Sequence, residues 1–176
     1  MTRANPRAAA RADVTDASRP LDGAVDGPLE LRSDPEIAEM VAAVSADEVG
    51  GSVAALAGFE TRNSCSTLTD PARGVGAARD WILARFAARP GVVARLHEYT
   101  FMGCLGAARM QANVVASIPG ATHPERLIVI GGHYDSRGSN TAAGNVDGAI
   151  PAPGANDSGS QTAVLLEAAR DGRAAL

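Results

Sequence analysis

Residues 131–136 read GGHYDS and set His133 and Asp135 one residue apart, directly after the apolar run 126–130. An imidazole is a common metal ligand, and a carboxylate that takes its second ring N–H fixes the tautomer and the ring orientation. Residues i and i+2 of an extended segment point the same way, so Asp135 is placed to orient His133. The plainer alternative is a strand-end histidine with an ordinary hydrogen bond, and a bare H-x-D motif does not exclude it. A second polar cluster follows a loop of about twenty residues, in PGANDSGS at 153–160. Asp157 there stands at the mouth of an apolar helical pattern, and its two oxygens could bridge two ions ~3.5–4 Å apart. Asn156, Asp157 or Ser158 could equally be no more than the helix N-cap.

The elements that must position these residues are legible from periodicity. Ser33 or Asp34 followed by Pro35 starts a helix with Ile37, Met40, Val41 and Val44 on one stripe. Ser45 and Glu48 have capping-box spacing for a second helix, weakened by Gly50 and Gly51. The clearest helix lies in 73–91, with Val75, Ala78, Ile82 and Phe86 on one face and Pro90–Gly91 as the stop. Runs 92–101, 113–118 and 126–130 are rich in β-branched residues and predict strands. The last is nearly all apolar, as for a strand covered on both faces. A final helix is expected from near Asn156, carrying Ala163, Val164, Leu166 and Ala169. The pattern predicts a mixed α/β fold, with a mostly buried sheet flanked by helices. Ligands in such sheets bind at the carboxyl ends of the strands, where GGHYDS lies.

Composition narrows the function classes. The 176 residues carry a net charge of −4, and every basic side chain is an arginine, scattered rather than clustered. That argues against a nucleic-acid binder. No apolar stretch approaches the ~20 residues of a membrane-spanning helix, so no membrane partner is expected. Residues 1–32 lack apolar periodicity and predict a disordered leader, with the ordered domain over 33–176. The N-terminus has no apolar signal core, and localisation stays open. Cys65 and Cys104 are either a disulfide or two thiols.

HYDS, the loop, and PGANDSGS leading into an apolar helix together resemble the M28 family of zinc metallopeptidases, over residues 34 to 170. The stretches RNSCSTL, GVGAARDWILARF and NVVASIPG add to the likeness. The resemblance implies an incomplete zinc exopeptidase-like fold. It implies His133 as a zinc ligand, Asp135 as the carboxylate that orients it, and Asp157 as the bridge between two Zn2+ ions. It further implies hydrolysis of a peptide or protein substrate by metal-activated water, most often as an aminopeptidase. In the family a Glu–Glu pair, an aspartate and a histidine complete the site further along.

None of those follows Asp157 here. His97 and His123 lie upstream and read as a strand residue and an exposed loop residue, while Glu167 is a single glutamate on the last helix. Zinc takes about four donors, and His133 with Asp157 supplies two. The expectation is the N-terminal part of a catalytic domain, with no tight zinc binding by this chain alone. Two alternatives compete: a non-catalytic peptide-binding or interaction domain on the same fold, and a generic α/β domain whose polar clusters are only caps and turns.

Overall fold

The computed structural model describes residues 34–138 and 146–170. The expected leader, 1–32, and the end of the chain, 171–176, lie outside the described residues.

Pro35–Ala42 form helix α1, Ala46–Gly58 α2 and Gly74–Ala87 α3. Two strands follow, β1 over Val93–Cys104 and β2 over Ala107–Ser117, and Gln161–Arg170 form α4. These are the helices and sheet of the mixed α/β class that the sequence predicts. Ser45 caps α2 as its spacing suggests, its side chain accepting the Glu48 N–H at 3.2 Å. In α3 the predicted face is buried: Val75, Ala78, Ile82 and Phe86 are all under one-tenth exposed. With Leu56 of α2 and Leu166 and Ala169 of α4 this face builds the core. Each such large apolar side chain contributes ~1.5–3 kcal/mol by leaving water.

The strands differ in extent from the pattern. Instead of two separate runs, β1 and β2 make one long antiparallel hairpin with Val93 opposite Ser117 and Cys104 opposite Ala107. Leu105 and Gly106 form its two-residue turn, both at positive φ (55° and 79°), which matches the right-handed strand twist. Ala94 faces Ala116 across the hairpin, and both pack on the core with Val114. The helix α3 lies against both strands on that side. Toward the turn of the hairpin Met102 and Met110 are more than half exposed.

Three expectations are corrected. Residues 126–130 are not a paired strand: Leu127, Ile128, Val129 and Ile130 are 71–91% exposed and carry no strand assignment. β-branched composition suits a strand, but a strand exists only where a neighbour completes its hydrogen bonds. The stripe on α1 is likewise uncovered, with Ile37 at 59% and Val41 at 68% exposure. Finally, the regular last helix begins at Gln161, not near Asn156, because Asp157 (φ −105°, ψ 94°) and Ser158 (φ −125°, ψ 35°) are non-helical. Val164, placed on its stripe, is 57% exposed, while Ala163, Leu166 and Ala169 are buried as expected.

Glu167 has a structural role that periodicity does not show. It is 6% exposed and accepts the Ser45 N–H at 2.6 Å and two Arg170 N–H groups at 2.8 Å, tying α4 to the start of α2. The Arg170 guanidinium, against the opposing effect of burial and aided by the Ser45 N–H, holds this carboxyl below the usual range. The stability it contributes is therefore present above the unfolded glutamate pKa, ~4.3, and is lost as pH falls through the lower folded value. Urea midpoints measured from neutral into acid pH should fall across that window. Glu167→Gln should be less stable at neutral pH and should lose less on acidification. Parallel profiles for the two proteins would remove Glu167 as the cause.

Candidate metal centre

Tyr134 divides the GGHYDS segment into two faces. Its ring packs against the core and its hydroxyl donates to the Ala112 carbonyl of β2 at 2.7 Å. Burial pushes the phenol up to about 12, so it stays a neutral donor. With Tyr134 anchored inward, alternation turns His133 and Asp135 outward on one side. Their side chains remain 56% and 41% exposed.

The two groups engage each other. His133 Nδ1 lies 2.9 Å from Asp135 Oδ1, and Ser64 Oγ donates to Asp135 Oδ2 at 2.7 Å. Both carboxylate oxygens are thus occupied, which leaves Asp135 little rotational freedom. With Nδ1–H donated to Asp135, the lone pair of His133 Nε2 faces out of the cluster. Asp157 Oδ1 stands 3.3 Å from that Nε2, on a side chain 89% exposed. The kink before α4 is what turns Asp157 toward the histidine; its peptide bond to Ser158 is cis.

This spacing can be compared with metal chemistry. Zinc binds imidazole nitrogen and carboxylate oxygen at ~2.0–2.2 Å in tetrahedral geometry, which sets two donors about 3.3–3.5 Å apart. The two atoms present meet that separation. They are two donors only: among the described residues no group of three or more His, Cys, Asp or Glu side chains could hold a metal ion. His97 is on β1 opposite Asn113, and His123 pairs with Glu125 at 3.2 Å on the surface. A cleft of about 250 Å³ opens beside the pair, lined in part by Tyr99, Phe101, Gln111 and Asn113 of the hairpin.

The segment after α2, which contains the RNSCSTL stretch, supports the site from below. Arg62 is fully buried and makes four hydrogen bonds to backbone carbonyls: Nε to Tyr134 at 2.7 Å, Nη1 to Leu56 at 2.7 Å and Pro153 at 2.6 Å, and Nη2 to Gly154 at 2.9 Å. Charge-assisted bonds of this kind contribute ~1.5–3 kcal/mol each, which offsets the cost of taking a guanidinium out of water. Burial lowers the Arg62 pKa and the Asp135 charge raises it in part. Gly154 has φ +47°, and a Cβ there would lie 2.6 Å from Ser136 Cβ and 3.0 Å from Arg62 Nη2. The close approach of loop and guanidinium therefore requires glycine. A disulfide joins Cys65 to Cys104 at the end of β1, with Cα atoms 5.4 Å apart. From β2, Gln111 and Arg109 each donate at 2.6 Å to the carbonyls of Ser64 and Ser66. Among the described residues no single helix is long and apolar enough to cross a membrane.

Comparison with known proteins bears out the family resemblance. The sequence model of peptidase family M28 matches residues 113–175, a span that contains His133, Asp135 and Asp157. A protein of Pyricularia oryzae named a probable zinc metalloprotease is 41% identical over 122 residues, covering 65% of this chain and 24% of that protein. One of the same description from Leptosphaeria maculans is 37% identical over 142 residues, covering 77% and 32%. Another from Pyrenophora teres f. teres is 37% identical over 146 residues, covering 78% and 30%. The chain thus spans about a quarter to a third of the length of these curated relatives.

Proposed function

From the place of residues 113–175 in peptidase family M28, a family of zinc metalloproteases, we propose that this chain is the N-terminal part of a zinc exopeptidase. The proposed activity is removal of N-terminal residues from peptides. The observation that carries the proposal is the 3.3 Å separation of His133 Nε2 and Asp157 Oδ1, with Asp135 on the opposite ring nitrogen. His133 and Asp157 would be the donors that hold zinc, and the two oxygens of Asp157 would allow it to serve as a shared carboxylate. Bound zinc supplies Lewis-acid polarisation of the scissile carbonyl and a water nucleophile at neutral pH.

The residues of this chain do the rest by holding still. Asp135 accepts the Nδ1–H hydrogen bond and so leaves the Nε2 lone pair facing the ligand position. Ser64 fixes Asp135, and Tyr134 fixes the segment between the two. The exposed Asp157 carboxylate faces solvent, where a peptide can approach. The cleft beside His133 offers the adjacent concavity for substrate. A proton shuttle and further ligands would be supplied by the Glu–Glu pair, aspartate and histidine that the family resemblance implies. The limit of two donors among the described residues favours a second proposal for this segment by itself, a peptide-binding domain on the same fold.

An extended form of the protein, matched in length to its relatives, should release the N-terminal residue of unblocked peptides. It should lose activity with a zinc chelator and recover with added zinc. Preference for N-blocked peptides with a free C-terminus would convert the assignment to carboxypeptidase. Chelator-insensitive hydrolysis would end the zinc proposal.

A further inference from the structure

Arg62 belongs to none of the chemistry above, yet it contacts both segments that carry it. Its Nε–H donates to the carbonyl of Tyr134, the residue between His133 and Asp135. Its Nη1 and Nη2 donate to the carbonyls of Pro153 and Gly154, three residues before Asp157 at the nearer end. The fourth acceptor is the Leu56 carbonyl at the end of α2, which ties the guanidinium to the core. No carboxylate is among these four acceptors. A salt bridge would explain a buried arginine by charge pairing alone. A planar fork spread over three backbone segments fixes their relative position instead.

The backbone around Arg62 repeats the same connection. Its N–H donates to Ser136 Oγ at 3.0 Å, its carbonyl accepts the Ser136 N–H at 3.1 Å, and Ser136 Oγ donates to the Ala152 carbonyl at 2.6 Å. Ala152 in turn donates to the Glu60 carbonyl at 2.7 Å. Residues 60–62 therefore lie between the H-x-D segment and the Asp157 loop as a shared partner of both. His133 and Asp157 meet through solvent-exposed side chains; beside the 3.3 Å pair, Thr162 of α4 donates to the His133 carbonyl at 3.2 Å, and the Arg62 connection holds the loop before Asp157. We propose that Arg62, with its backbone partner Ser136, is the positioning residue that sets the His133–Asp157 separation and thereby the zinc affinity of the site. The inference rests on His133 and Asp157 being the donors.

Zn2+ alone is the probe, titrated into the 176-residue chain while the His133 ring nitrogens are followed by NMR; thermal melting is recorded in parallel. His133→Ala identifies the resonances and tests the donor assignment separately. If that variant binds Zn2+ as the parent does, the proposed site has failed, whatever Arg62 does. Provided His133 responds, Arg62→Lys keeps the charge but loses the fork. It is expected to weaken Zn2+ binding about tenfold while the hairpin resonances stay in place. A folded Arg62→Lys protein with parental Zn2+ affinity would overturn the inference. Should Arg62→Lys fail to fold, Ser136→Ala decides. It removes two buried bonds of the same connection and is expected to weaken Zn2+ about threefold or more, with melting lowered by several degrees but still cooperative. Unchanged affinity in that variant would overturn the inference equally.

Discussion

His133→Ala, made in a form of the protein that carries the complete metal site, is expected to lower peptide hydrolysis by about three orders of magnitude or more. The argument starts from coordination. A catalytic zinc site has three protein ligands, and removing one exposes the ion to exchange and misplaces it against the substrate. Lewis-acid stabilisation by a metal is worth several kcal/mol, and each 1.36 kcal/mol is tenfold in rate. Asp135→Asn should fall less, by about 10–100-fold, because it disturbs orientation and tautomer rather than removing a donor. That ordering distinguishes the two roles. The amide could present its NH2 to His133 Nδ1 and favour the wrong tautomer, so the variant should also show altered His133 ring signals. The measurements are kcat/KM on an unblocked peptide and zinc content after dialysis. Retention of more than about a tenth of parental activity in His133→Ala would exclude it as a ligand.

Reduction of Cys65–Cys104, or replacement of both by serine, is expected to cost about 4 kcal/mol of stability. The figure follows from the loop of 39 residues that the bond closes, through the loss of unfolded-chain entropy. For a domain of this size it corresponds to a drop in Tm of roughly 10–15 °C. The bond also anchors the segment that presents Ser64 to Asp135, and Gln111 and Arg109 of β2 hold the same segment from the adjoining strand. Loss of the bond should therefore increase the mobility of Ser64 while leaving the core face of α3 intact. Differential scanning calorimetry with and without reductant gives the Tm, and alkylation before reduction counts free thiols. Ready alkylation of both cysteines in the untreated protein would mean the bond is not formed in solution.

The unpaired run 126–130 shows where local pattern and tertiary context part. Four consecutive β-branched or leucine side chains are the strongest strand signal in the chain, and Leu127, Ile128 and Val129 are among its most exposed residues. Composition reports how well a segment suits a pleated surface; it does not supply the neighbour. α1 makes the same point with its uncovered stripe. By contrast, α3 reads correctly because Val75, Ala78, Ile82 and Phe86 recur at helical spacing and meet a core from α2 and α4.

By itself the sequence determined what short-range chemistry can encode. His133 and Asp135 are two residues apart, so an extended backbone is enough to bring ring and carboxylate together. Asp157 follows a Pro–Gly turn, and Ser45 sits at capping distance from Glu48. The HYDS and PGANDSGS clusters, in that order, carry the M28 resemblance. Only the tertiary structure decided which distant groups complete them. Ser64 reaches Asp135 across 71 residues, Arg62 reaches Gly154 across 92, and Glu167 reaches the Ser45 N–H across 122. No periodicity links such positions, because each contact depends on where several turns bring the chain back. Buried polar groups must then find partners, and the folded backbone alone determines which carbonyls and carboxylates are within reach. The His133–Asp135 pair is written locally, and its rigidity is assembled at long range.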